Sequence, residues 1–222
     1  MGLTVRSSGG SSSFKPVPPG MHLARCYRVV DMGTQTTTWK GQTKQQPKVM
    51  LQFEVHSEDA DGNPLITEKG EPMSISKNFT ASLADKAVLR QELENWRSRA
   101  FTPDELNGFQ LKNVLGAWAM LSVVKEVGND GKEYTNISSI NPVSSQIKKA
   151  GLPEPHNELK IFDLEDPDMV MFETFGNKLK EKIQGTPEWA ARNGGAQQAQ
   201  PAKPAEQQGG SGFDDMDDDI PF

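Results

Sequence analysis

Apolar and polar residues alternate most cleanly over residues 48–56. Val49, Leu51, Phe53 and Val55 fall on one side, Met50, Gln52 and Glu54 on the other. A period of two in β-branched and aromatic residues predicts a half-buried strand. A β-branched and apolar run at 22–31 predicts a strand before it, and residues 73–80 predict a third. The period then changes. Over residues 82–99, Leu83, Val88, Leu89, Leu93 and Trp96 follow helical spacing, and Ser82 with Asp85 makes a capping-box-like start. Residues 115–126 are strongly apolar and predict a fourth strand. Asn129-Asp130-Gly131-Lys132 predicts a hairpin turn, and residues 134–140 a fifth strand.

Three strands, a helix and a two-stranded hairpin form the element order of the OB-fold, a five-stranded barrel with a helix between strands 3 and 4. The expected class is therefore mainly β, with appendages. Residues 1–15 are rich in Ser and Gly and predict a flexible N-terminus, and residues 16–150 hold the barrel. Residues 151–192 predict a helical extension packing on the barrel. Its helix, 169–184, carries Phe172, Phe175, Leu179 and Ile183 on one face. Residues 193–212, rich in Gly, Gln, Ala and Pro, predict a disordered linker, and 213–222 an acidic tip.

Charge sharpens this division. The net charge of −6 speaks against a nucleic-acid partner until it is divided: residues 1–150 carry +3, residues 151–195 carry −4 and residues 196–222 carry −5. A mildly basic body with an acidic tail is the asymmetry of a nucleic-acid binder. Cys26 is the one cysteine, so no internal disulfide forms. With no signal-peptide pattern and no apolar run of membrane-spanning length, the expected location is the cytoplasm of a bacterium or an infected host.

The chain closes with Phe213-Asp214-Asp215-Met216 and then Asp217, Asp218, Asp219, Ile220, Pro221 and Phe222. An aspartate run followed by Ile-Pro-Phe, behind a Gly/Gln/Pro-rich linker, resembles the C-terminal tip of bacterial single-stranded DNA-binding proteins. The resemblance covers the linker and tip only. The body departs from the bacterial family's usual start and adds the 169–184 helix, which points to a bacteriophage-encoded version. The resemblance implies coating of single strands during DNA replication, recombination and repair. It also implies that residues 217–222 dock host or phage partner proteins. Physically, Phe222 offers an aromatic ring and a carboxylate to a pocket with a nearby cation, Pro221 limits the entropy lost, and the aspartates meet a basic rim.

Sequence-tolerant binding of single strands requires cations for phosphates and aromatic faces for bases. The loop over residues 34–48 supplies Trp39, Lys40, Lys44 and Lys48 and no acid. Trp39 sits among Thr and Lys, which favours stacking over core packing. Arg25, Tyr27 and Arg28 on the first strand are further groove candidates, with the buried face of that strand left open. Lys77 and Phe79 share a face of the third strand, and Phe79 and Tyr134 fit stacking and core packing equally. Trp118 lies between Ala117 and Ala119, which suggests that the opposite face is packed and leaves its indole accessible.

No cofactor, metal or catalytic arrangement emerges. His22, His56 and His156 are dispersed and lack cysteine partners, and no phosphate-cradling glycine loop is present. The expectation is a binding module and not an enzyme, with single-stranded DNA and tail-docked proteins as partners and no membrane. The alternative is an adaptor or decoy that occupies host tail-binding proteins without coating DNA.

Overall fold

The computed structural model describes residues 15–39, 42–128 and 131–192. The fold is mainly β, built on one six-stranded sheet that is not closed. Five strands, β1 (Gly20–Trp39), β2 (Gln42–Val55), β3 (Ser74–Thr80), β4 (Trp118–Val127) and β5 (Glu133–Asn141), run antiparallel in the order β3-β2-β1-β4-β5. The sixth, β6 (Lys160–Phe162), pairs parallel with Arg28–Val30 of β1. It takes over the edge that β4 leaves at Arg25. This order is compatible with the expected OB-like fold. A hydrogen-bonded seam between β3 and β5, which a closed barrel requires, is missing among the described residues.

Two register shifts in β1, at Cys26/Arg28 and Asp31/Gly33, bend the strand so that it serves both halves of the sheet. Gly33 sits in the second at φ 66°. A Cβ there would lie 2.8 Å from the Leu164 side chain and 2.9 Å from that of Thr186, so glycine is required twice over. Beyond Gly33, β1 and β2 continue as a two-stranded ribbon, Thr34 opposite Pro47 and Trp39 opposite Gln42.

The main core lies on the inner face. Val49, Leu51, Phe53 and Val55 of β2 meet Ala119, Leu121 and Val123 of β4 and Ile137 and Ile140 of β5. Helix α1 (Val88–Arg97) closes one end with Leu89, Leu93 and Trp96. It is shorter than residues 82–99. Ser82 instead accepts a hydrogen bond from the Ala84 amide in a local turn, and Asp85 pairs with Arg90. A capping box does occur, at Thr102 and Glu105 of the four-residue helix α2 (Pro103–Leu106), followed by a 3-10 turn at Leu111–Val114.

After the short helix α3 (Ser145–Ala150), the chain crosses to the outer face of β1 and β2 and builds a second core there. The predicted single helix 169–184 is two helices, α4 (Met169–Glu173) and α5 (Asn177–Gln184), and α6 (Pro187–Arg192) follows. Thr174 Oγ1 donates to the Met171 carbonyl and ends α4. The break lets Phe175 pack edge-on to Phe162, ring centroids 5.1 Å apart. Val30, Met32 and Met50 are buried beneath these aromatic rings. From Lys48 to Val55, β2 is consequently covered on much of both faces: Met50 is 8 % exposed and Glu54 fully buried, with Gln52 half-buried.

Candidate nucleic-acid interface

Register places Arg28 opposite Gln52 and Gln52 opposite Ser76, with Val30, Met50 and Asn78 in the next row and Lys48 beside Thr80. These rows form the outer face of β1, β2 and β3. The C-terminal extension covers the β1–β2 side and leaves Gln52, Ser74, Asn78 and Thr80 half-buried and Ser76 exposed. The remaining strip is polar. Its one acid, Glu54, accepts hydrogen bonds from Arg25 Nη1 at 3.0 Å and from the Asn157 amide and side chain, each at 2.7 Å. Burial would raise the Glu54 pKa, and the Asn157 bonds, then the Arg25 bond, with His56 Nε2 3.4 Å away, reverse that and hold it below the ordinary value.

The predicted residues divide into three groups. Arg25, Lys48, Lys77 and Phe79 are engaged inside the protein. Arg25, 8 % exposed, bonds Glu54 and the Asn157 carbonyl. Lys48 donates to Thr80 Oγ1 at 2.8 Å. Lys77 pairs with Glu92 of α1 at 2.9 Å, and Phe79 has no exposed surface. A sequence without register does not reveal that β3 turns both Lys77 and Phe79 inward.

A second group lines the outer face. Tyr27 occupies the first bulge and is buried, 6 % exposed. Burial raises its pKa. The Arg28 guanidinium lies 5.3 Å from the Tyr27 ring centroid and 5.7 Å from that of Phe175. Both distances are within cation–π range. Its Nε is buried without a hydrogen-bond partner, as are Asn78 Oδ1 and Gln46 Oε1.

The third group lies away from this strip. Lys44 is half-buried on the ribbon, whose first strand ends at Trp39. Trp118, half-buried, stands opposite Arg25, with its ring 5.1 Å from His56. Tyr134, also half-buried, is opposite Glu126 at the far end of the sheet. The structure therefore does not gather all the candidates on one face. Lys40 and residues 213–222, with the tip Asp217 to Phe222, lie outside the described residues.

Sequence reasoning missed Gln46, Gln52, Ser76, Asn78 and Phe175. Only the alternation that put Gln52 opposite the core pointed to any of them. Between Asp31 and Glu54 the chain has no acid, so this stretch carries only positive charge, from Lys40, Lys44 and Lys48. Such a segment attracts a polyanion. Among the described residues, no group of three or more His, Cys, Asp or Glu is placed to hold a metal ion, and no helix is long and apolar enough to cross a membrane. No protein-family model matches the chain, and no curated protein matches it.

Proposed function

We propose that this protein binds single-stranded DNA without sequence preference, on an OB-like open sheet, and recruits partners through its C-terminal tip. The observation that carries the reading is the acid-free stretch from Met32 to Phe53. It joins the ribbon, with Trp39 and Lys44, to the polar outer strip of β2 and β3. Cations spaced along a ribbon meet successive phosphates, and an indole among them stacks on a base. A duplex hides its base faces and binds poorly to such a surface. The Asp217–Phe222 resemblance supports a role in replication, recombination and repair, and the departures elsewhere support a bacteriophage-encoded protein of the infected-cell cytoplasm.

A second reading rests on a specific observation. Arg25, Lys48 and Lys77 are engaged internally, which thins the cationic surface and favours an adaptor that acts through its tip alone. One titration separates the two. Oligo-dT should quench tryptophan fluorescence, less so as salt rises, whereas a duplex should leave it unchanged. Replacement Trp39→Ala should remove most of the quenching. Absence of any fluorescence change or gel shift with oligo-dT rejects the coating reading in favour of the adaptor.

A further inference from the structure

We propose that Tyr27 of β1 and Phe175 of the C-terminal extension hold the Arg28 guanidinium as a seat for one backbone phosphate of a single strand, at the edge of the polar strip. The inference rests on the single-strand-binding reading. It adds the chemical group that is bound there and the residues that position its partner.

Pairing sets Arg28 apart from the other arginines of the body. Arg25, Arg90, Arg97 and Arg99 each pair with a carboxylate. Among the described residues, the Arg28 guanidinium has neither an ion pair nor a hydrogen bond. Its neighbours are two rings, with the Tyr27 centroid at 5.3 Å and the Phe175 centroid at 5.7 Å. Aromatic faces attract a cation without neutralising it. Glu54, in the next row, is already bound by Arg25 and Asn157, so its charge is matched. Arg28 is half-buried, and its Nε is closed off without a partner. A partly desolvated guanidinium that keeps its full charge has a fork geometry that matches phosphate oxygens.

Local structure explains how the two rings reach it. Consecutive residues of a regular strand point to opposite faces. The register shift between Cys26 and Arg28 inserts Tyr27 as an extra residue, which lets its ring meet the guanidinium of the next residue. Phe175 stands between α4 and α5. It is locked edge-on against Phe162 and Phe172 and is 6 % exposed. The net-acidic extension thus serves the site by fixing a cation of the sheet.

The row that contains Arg28 leads onto the strip. It runs from Lys160 of β6 through Arg28 to Gln52 and Ser76. Lys160 is offset by Glu158 at 3.4 Å, and Gln52 and Ser76 carry no charge. The adjoining row, Val30 and Met50, is buried under the extension. A nucleotide seated by its phosphate at Arg28 therefore extends over the amide and hydroxyl of Gln52 and Ser76, at about 5 Å per strand.

The test is oligo-dT affinity, measured by fluorescence anisotropy across NaCl concentrations, for the full chain carrying Arg28→Ala, Phe175→Leu or both. Phe172→Leu, which removes a ring of the same core that lies beside Lys180, is the control. Arg28→Ala should weaken binding about tenfold and flatten the salt slope by about 0.7, the share of one phosphate. Phe175→Leu should weaken binding about threefold but add nothing in the Arg28→Ala chain. Phe175→Tyr, which keeps the ring, and Phe172→Leu should both stay near wild type. Weaker binding by Arg28→Ala with an unchanged salt slope overturns the phosphate seat. Equal behaviour of Phe175→Leu and Phe172→Leu overturns the positioning role. If Arg28→Ala binds like wild type while Lys44→Glu weakens binding, the seat is overturned and the single-strand reading stands. If wild type fails to bind oligo-dT, both fall. Should Phe175→Leu unfold, Tyr27→Leu makes the same test from the other ring.

Discussion

Lys77 of β3, half-buried, and Glu92 of α1, buried, form an ion pair at 2.9 Å that spans the open seam of the sheet. Lys77 Nζ also reaches the Ser138 carbonyl of β5 at 3.3 Å, and the other Glu92 oxygen accepts from the Ile140 amide at 2.7 Å. Asn95, one turn further along α1, donates to the Ile140 carbonyl at 2.7 Å. Side chains of a helix thereby satisfy a β5 edge that a neighbouring strand would satisfy in a closed barrel. Substitution Glu92→Gln leaves Lys77 charged and poorly paired and should destabilise the fold by about 3 kcal/mol. Replacing both by Met should cost less than Glu92→Gln alone. Urea unfolding of the three variants measures the difference, and equal losses would mean that the pair does not act as a unit.

Glu54 gives the pH dependence a sign. Its pKa in the folded protein lies below the unfolded value, so its contribution is fully present above about pH 4.5. That contribution disappears as the pH falls through the lower folded value. Because Glu54 holds the Asn157 amide, acid should loosen the extension from the sheet. The melting temperature should fall as the pH drops below about 4.5. In Glu54→Gln it should start lower and depend less on pH across that window. A parallel decline in both proteins would assign the acid sensitivity to other carboxylates.

Cys26 should be chemically silent in the native state. It has no exposed surface, and burial, only partly opposed by the Arg28 backbone and the Arg25 charge, pushes its thiol up to about 12. A chromogenic disulfide reagent should react with it at the rate of global unfolding, accelerating with urea. Rapid labelling in buffer would reveal local opening of β1.

The acidic tip should compete with DNA for the ribbon, because its tether keeps the aspartates at high local concentration. Deleting residues 213–222 should raise oligo-dT affinity most at low salt and abolish capture of tail-binding proteins. Binding isotherms at about 20 mM and about 300 mM NaCl, roughly fourfold apart in Debye length, decide the matter. Unchanged affinity at low salt would exclude competition.

The alternation of Val49, Leu51, Phe53 and Val55, the helical spacing of Leu89, Leu93 and Trp96, and the acid-free run around Lys44 all depend on neighbours within a few residues. Local periodicity and charge therefore make the strands, the core face of β2 and the cationic ribbon legible from the chain alone. Phe172, Phe175, Leu179 and Ile183 are likewise readable as one apolar set, although not as two helices. What the outer face of β2 meets is a different kind of fact. Glu54 is neutralised by Arg25, 29 positions away, and held by Asn157, 103 positions away. Lys77 turns inward because Glu92 and Ser138 receive it there. Distant pairs of this kind leave no period in the chain. Short-range pattern specifies the order of the elements, the inner core and the sign of the charge on the ribbon. Which cations stay in the interior, and which face the extension leaves open, follow from tertiary packing, because burial and charge pairing depend on the surfaces that the folded backbone brings together.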